Sequence, residues 1–207
     1  DSDFDIDNLV EEKGRIRMVL PKTTNYQIGL VLREGDLLSE LNKEVKHSDF
    51  DIVIMGSPHR KRMINKISQF LDTSIFFVKN FNPNWNYKIL LCVDDSRATK
   101  RAVILSTRIS KQFDAEITSL TVSKTSFFGK GYRNAHVWAE RYLKRIGIPF
   151  NSKLLSGNPV EVFVNEAGED HIIIMGKAKG NEILKFILGS KPIHTAQRAN
   201  CSVLLVN

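Results

Sequence analysis

Several features that would point to a membrane, secreted or disulfide-rich protein are missing from this chain of 207 residues. No apolar run approaches the roughly 18 residues that a membrane-spanning helix needs, and the N-terminus carries no signal-peptide pattern. Only two cysteines occur, Cys92 and Cys201, and both lie inside apolar segments. This placement favours buried structural thiols in a reducing, cytoplasmic compartment.

Motifs for several kinds of catalysis are also missing. The five histidines show no metal-ligand spacing, and neither cysteine has a spaced histidine partner. The sequence contains no nucleophile-elbow motif and no Walker lysine. We therefore predict no metal site and no enzyme activity.

The chain is basic, with a formal net charge of +7 and an isoelectric point near 9.4. Such a balance permits nucleic acid, nucleotide or anionic membrane partners without choosing among them. The densest cluster is His59-Arg60-Lys61-Arg62, and no aromatic residues alternate with it as a single-strand binder would need. We interpret it as a solvated helix start and expect no nucleic-acid partner.

The second part of the chain alternates apolar strands with amphipathic helices. The predicted strands are 87–93, 115–122, 150–155, 171–175 and 201–206. This alternation predicts a parallel sheet with helices on both faces. In such sheets, ligands bind beyond the carboxyl ends of the strands, where the strand order reverses.

The first part has a similar but shorter pattern. Strands are predicted at 15–20, 26–32, 50–55 and 74–78, with helices starting near residues 37 and 63. The polar, proline-containing segment 81–86 separates two apolar strands, so we place a domain junction there. The predicted organisation is therefore residues 1–80, a linker at 81–86, and residues 87–207.

An internal repeat relates the two parts. Met55-Gly56 and Met175-Gly176 each end an apolar strand, and each is followed by a helix and a last strand. The segment after the glycine is about eight residues shorter in the first copy. The first copy also lacks a strand that ends in a counterpart of Asp94-Asp95-Ser96, so we expect it to be degenerate.

Four motifs of the second copy, taken together, resemble the universal stress protein family. They are Ile89–Val93 followed by Asp94-Asp95-Ser96, then Gly157-Asn158-Pro159, then Ile174-Met175-Gly176 leading to Gly189-Ser190, and the closing segment Cys201–Val206. The likeness covers residues 87–207, with residues 26–80 as a partial copy. It implies an α/β protein made of two flavodoxin-like subdomains, the first incomplete, each with a parallel sheet flanked by helices.

The resemblance also implies a nucleotide site, because nucleotide-binding members hold ATP between the first strand and a glycine loop. Carried over, Asp94 would meet the adenine side and the Val122 backbone would lie nearby. The residues implied around the phosphates are Gly176, Gly180, Gly189 and Ser190. The family's second loop glycine falls on Lys179 here and is displaced to Gly180, so we predict no cofactor, with ATP as the alternative.

Each of these motifs also has a structural interpretation. Asp94-Asp95 could form a Mg²⁺ or acid/base pair, but carboxylates after a strand more often cap the next helix. Gly189-Ser190-Lys191-Pro192 is also a good helix start without any ligand, since serine caps helices and proline suits their first turn.

Two functions follow as hypotheses. The first is a non-catalytic regulatory and dimerisation domain at the cytoplasmic face of the cell membrane, attached to the transport domain of a cation-chloride cotransporter or amino-acid transporter. The start at Asp1 instead of Met, the altered glycine loop and the basic surface motivate it. The alternative is a free-standing tandem universal stress protein that binds ATP or AMP as a sensor. In either case the family resemblance implies a homodimer formed through the last strand.

Overall fold

The computed structural model describes residues 9–12, 15–19, 30–31, 33–47, 50–58, 61–125, 129–177 and 191–207. They belong to two compact units, residues 1–47 and residues 48–207, which are taken separately below. Within the described ranges, no helix is both long and apolar enough to cross a membrane.

The described residues of the first unit form three antiparallel strands and one helix. They are β1 (Leu9–Glu12), β2 (Arg15–Val19), β3 (Leu30–Val31) and α1 (Leu37–His47). Helix α1 begins after Asp36, whose Oδ2 accepts a hydrogen bond of 3.0 Å from the Ser39 N–H, as a helix cap does. The strand predicted at 15–20 is thus confirmed, and residues 30–31 of the strand predicted at 26–32 are in a strand, the rest lying outside the described residues.

The second unit is an α/β sandwich around one mostly parallel sheet. Its elements are β4 (Ile52–Gly56), α2 (Lys61–Phe70), β5 (Ser74–Val78), β6 (Lys88–Val93), α3 (Arg97–Phe113), β7 (Ile117–Ser123), α4 (Lys130–Ile146), β8 (Phe150–Ser156), α5 (Pro159–Glu166), β9 (His171–Gly176), α6 (Lys191–Arg198) and β10 (Ser202–Val206). The strand order is β4-β5-β10-β9-β6-β7-β8. The predicted parallel α/β architecture is confirmed, since every neighbouring pair is parallel except β5 with β10.

Strands β4 and β5 repeat the geometry of β9 and β10. Gly56 pairs with Val78, and Gly176 pairs with Val206, in the same parallel register. The residue after each glycine donates its N–H to the carbonyl oxygen of the paired valine, at 2.8 Å from Ser57 and 2.6 Å from Lys177. The two Met-Gly strands thus share a local backbone arrangement, while the tandem repeat itself stays a prediction.

The two copies meet through their last strands, in the antiparallel pair β5–β10. Phe77 pairs with Val203 and Phe76 with Leu204. The side chain of Lys79 reaches across to donate a hydrogen bond of 2.7 Å to the Ala199 carbonyl oxygen. Residues 50–78 and 88–206 thus share one sheet, and the compact units divide between residues 47 and 48 instead of at 81–86.

Pairing within the chain also bears on the predicted homodimer. Strand β10 is hydrogen-bonded to β5 on one side and β9 on the other. Its edge, through which we expected two copies to pair, is occupied by this chain's own first copy. The homodimer stays a prediction, and it would have to use another surface.

One cluster of the core lies between the sheet and helices α3 and α4. Its buried members include residues of β6, α3, α4, β9 and β10, and Phe76 and Ile52 of the first copy pack against it. All five residues of β10 are buried. A strand that is apolar on both faces suits this position, because helices or other strands cover it on every side.

Both thiols are buried and free, as predicted. Burial raises the pKa of Cys92 well above its usual value, and the nearby Asp94 carboxylate adds to the effect. Burial likewise raises the pKa of Cys201 to about 11. Both thiols therefore stay protonated at neutral pH, which makes them poor nucleophiles.

These raised pKa values predict that the protein loses stability in alkaline solution. From about pH 9 upward the unfolded thiols release their protons while the folded thiols keep them, so the folded state binds more protons and the free energy of unfolding falls as pH rises toward 11. Urea unfolding at pH 8 and pH 10 measures this fall. A Cys92→Ala/Cys201→Ala variant should show a smaller fall between the two pH values, and an equal fall would contradict the assignment.

Candidate functional site

The candidate site lies where the parallel strands β6, β7 and β9 end at the same edge of the sheet. Asp94 follows β6, Val122 is the last residue but one of β7, and Gly176 ends β9. A single small cavity touches all three. Its lining residues are Cys92, Val93, Asp94, Val122, Pro159, Phe163, Met175, Gly176 and Lys191. The three predicted site residues that the structure describes are therefore brought together.

Asp94 holds the start of helix α3. Its Oδ1 accepts hydrogen bonds from the Ser96 N–H at 3.0 Å and from the Thr99 hydroxyl at 2.6 Å. The Thr99 oxygen in turn accepts a bond of 3.2 Å from the Asp94 N–H. The N-cap of α3 is Ser96, so Asp94 is not the helix cap predicted from the sequence; it instead binds the Ser96 N–H and the Thr99 hydroxyl from the position two residues before the cap. Asp94 also lines the cavity.

Gly176 has a structural reason to be glycine. A Cβ atom at this position would lie 2.7 Å from the Ala98 carbonyl carbon and 2.8 Å from the Thr99 nitrogen, both backbone atoms of α3. Helix α3 therefore rests directly on the end of β9, where any side chain would intrude. The same close approach puts the first turn of α3 beside the cavity.

The cavity is small in this structure. Its volume is about 10 Å³, which is room for roughly one water molecule. Sites for small molecules are usually about 300–1,000 Å³. On the α3 side it adjoins a cleft of about 350 Å³ that shares Asp94 and continues past Asp95 and Thr99 to Gly131 and Trp138.

Three of the predicted site residues, Gly180, Gly189 and Ser190, lie outside the described residues, and so does Lys179. The described chain resumes at Lys191, the first residue of α6. Sequence reasoning did not assign Lys191 a role. Its Nζ donates a hydrogen bond of 3.1 Å to the Tyr132 hydroxyl and lies 5.5 Å from the centre of that ring. Its position directly after the predicted Gly-Ser was the signal that could have identified it.

Phe163 and Pro159 were also missed. Both belong to α5, whose cap is Asn158 of the Gly157-Asn158-Pro159 turn, with Oδ1 accepting from the Val160 N–H at 3.1 Å. The turn was recognised as a family motif, but the sequence did not show that it brings α5 over the cavity. Phe163 is 4% exposed and closes the apolar wall.

The buried histidine of this region has a structural role. His136 of α4 contacts the Thr121 hydroxyl through Nδ1 at 3.1 Å and the Ser152 hydroxyl through Nε2 at 3.3 Å. Both ring nitrogens therefore have partners, on strands β7 and β8. Within the described residues, no group of three or more histidine, cysteine or carboxylate side chains is arranged to hold a metal ion.

Two solved structures with a similar fold are a universal stress protein and a putative one. One from Archaeoglobus fulgidus DSM 4304 is 18% identical, with a TM-score of 0.69 over 86% of this chain and 70% of that one. A putative universal stress protein from Pseudomonas aeruginosa UCBPP-PA14 is 14% identical, with a TM-score of 0.61 over 84% of this chain and 69% of that one. Among curated protein sequences, none matches this chain.

The family model agrees with these structures. The model of the universal stress protein family matches residues 86–207, which begin just before β6 and run through β10. The matched region includes every strand and helix that lines the cavity. On this match the chain belongs to the universal stress protein family.

Proposed function

We propose that this protein binds an adenine nucleotide at the cavity and acts as a nucleotide sensor. The observation that carries the proposal is the convergence of Asp94, Val122 and Gly176 on one cavity. Nucleotide-binding members of the family hold ATP at these positions. Asp94 Oδ2 would accept from the ligand, and the cavity's apolar wall would cover the adenine ring.

Binding requires the cavity to open. An adenine ring needs a far larger volume than the cavity now has, which is about 10 Å³. Phe163 and Met175 are both 4% exposed and form the apolar part of the wall. Methionine is unbranched and adapts readily to new shapes, so movement of Met175 is the simplest way to admit the ring.

The proposed activity is binding without turnover. Two of the lining groups could in principle react, the Cys92 thiol and the Asp94 carboxylate. The raised pKa of Cys92 keeps the thiol protonated. Asp94 Oδ1 is engaged by Ser96 and Thr99, which fixes the carboxylate in place. This arrangement suits a fixed acceptor for a ligand hydroxyl or amine better than a mobile catalytic base.

Isothermal titration calorimetry with ATP and AMP tests the proposal. We expect Asp94→Asn to weaken binding roughly 10- to 100-fold, since a hydrogen bond to a charged group contributes about 1.5–3 kcal/mol. Asp95→Asn is the matched control, because Asp95 is the adjacent carboxylate and does not line the cavity. Thermal unfolding of both variants checks that the first turn of α3 remains folded. No heat with folded wild-type protein at millimolar ATP would overturn the proposal.

A further inference from the structure

On the other side of Lys191 the cavity is continued by a larger and strongly basic cleft. Its volume is about 500 Å³, and we call it the basic cleft. Its lining residues are Lys124, Asn158, Pro159, Val160, Lys191, His194 and Arg198. It shares Pro159 and Lys191 with the cavity proposed for the nucleotide.

The basic side chains of the basic cleft come from two separate parts of the chain. Lys124 follows the end of β7, and Lys191, His194 and Arg198 all belong to α6. Their spacing of three and then four residues puts the α6 side chains on one face of the helix. At 1.5 Å of rise per residue, this stripe is about 10 Å long.

Negative charge is nearly absent from the same surface. None of the described residues that line the basic cleft is acidic. Among the described residues, the one ion pair that involves them joins Arg198 to Glu161 at 3.7 Å, between side chains that are each about half exposed. An exposed pair at that distance contributes little, so Arg198 stays free to turn toward an anion.

From this geometry we infer that the basic cleft binds a polyphosphate chain. Lys191 and Arg198, about 10 Å apart along α6, together with Lys124 suit an extended chain of phosphate groups better than one compact anion. The chain could be the tail of a nucleoside triphosphate in the adjoining cavity, an assignment that rests on the proposed function, or a free inorganic polyphosphate. In both cases the cleft recognises successive phosphate groups. Lysine binds them as a point charge, and arginine binds them through its forked N–H donors.

The test compares ATP, AMP and inorganic tripolyphosphate on the whole chain by calorimetry at low salt. The test variant is Lys124→Gln/His194→Asn/Arg198→Gln, which leaves Lys191 of the nucleotide cavity unchanged. The control is Arg108→Gln/Lys111→Gln, which removes the same formal charge from exposed positions of α3. Wild type and control should bind ATP about tenfold more tightly than AMP, and the test variant should bind both equally.

The tripolyphosphate arm separates the two sources and the two proposals. If wild type binds tripolyphosphate without nucleotide and the test variant does not, the basic cleft is established for free polyphosphate, even if neither ATP nor AMP binds. If ATP and AMP bind equally to wild type and tripolyphosphate does not bind, the inference is overturned while the proposed function stands. Equal loss of ATP preference in the control would show a general charge effect and would also overturn it.

Discussion

Gly176→Ala should lower the free energy of unfolding by about 1–3 kcal/mol, the usual cost of inserting a methyl group into a well-packed site. The added Cβ would lie 2.7–2.8 Å from backbone atoms of Ala98 and Thr99, so helix α3 would have to move away from β9. Chemical or thermal unfolding measures the effect, at roughly 2–4 °C of midpoint per kcal/mol for a chain of this size.

Gly56→Ala is the matched control, because Gly56 occupies the equivalent position of the first copy. It ends β4 in the same register as Gly176 ends β9. A Cβ at Gly56 meets nothing within 4 Å. Its substitution should therefore leave stability nearly unchanged.

The comparison also separates packing from ligand binding. If Gly176 were needed only for contact with phosphate, Gly176→Ala would impair nucleotide binding and leave the unfolding midpoint where it is. Equal destabilisation by the two substitutions would contradict the contact between α3 and β9. We expect a large stability effect at Gly176 alone.

Phe77→Ala should destabilise the second unit as a whole by about 3–5 kcal/mol, the range for truncating a buried phenylalanine. Phe77 is 1% exposed and lies in β5, opposite Val203 of β10. Because β5 and β10 share one sheet, loss of packing in the first copy should also lower the stability of the second copy.

A reporter in the second copy makes this test specific. Trp138 of α4 packs against the main core and stacks on Tyr142 at 5.4 Å. In a Trp85→Phe background it is the chain's one tryptophan, so its fluorescence reports unfolding around α4. Phe77→Ala should shift the denaturant midpoint seen by Trp138. Phe70→Ala is the control, since Phe70 also belongs to the first copy but is 61% exposed.

The opposite result would restore the domain junction predicted at 81–86. In that case Trp138 would keep its wild-type midpoint, and circular dichroism would show a separate transition for the first copy. We expect one transition, because β5 forms a continuous ladder with β10 and because segment 81–86 is held by contacts with Tyr87. Asn82 N–H donates to the Tyr87 hydroxyl at 2.8 Å, and Phe81 stacks on the same ring at 5.9 Å.

The position of the junction shows a limit of reasoning from local sequence. Segment 81–86 is polar and contains Pro83, which is typical both of linkers and of surface turns inside a domain. The two differ in whether strands on either side pair with each other. Here Phe77 pairs with Val203, a contact between distant parts of the chain that no local pattern reports.

The sequence predicted the part of the candidate site that is formed by the ends of the parallel strands. Parallel strands end at one edge of a sheet, so the family motifs placed Asp94, Val122 and Gly176 near each other before the structure did. The sequence predicted Asp94-Asp95 as a helix cap, but the cap is Ser96, and Asp94 accepts hydrogen bonds from Ser96 and Thr99 instead. The closure of the cavity by Phe163 was not foreseen, since it depends on how α5 packs on the sheet.

The sequence by itself determined the α/β class and the succession of strands and helices in the second unit, and it predicted the repeat marked by Met55-Gly56 and Met175-Gly176. Those features follow from local periodicity and from glycine positions, both of which can be read directly from the sequence. Only the tertiary structure decided that β5 joins β10, that α3 rests on Gly176, and that Lys124, which follows β7, lines one cleft with the cations of α6. Each of these is a contact between residues far apart in sequence, and such contacts are set by the packing of whole elements.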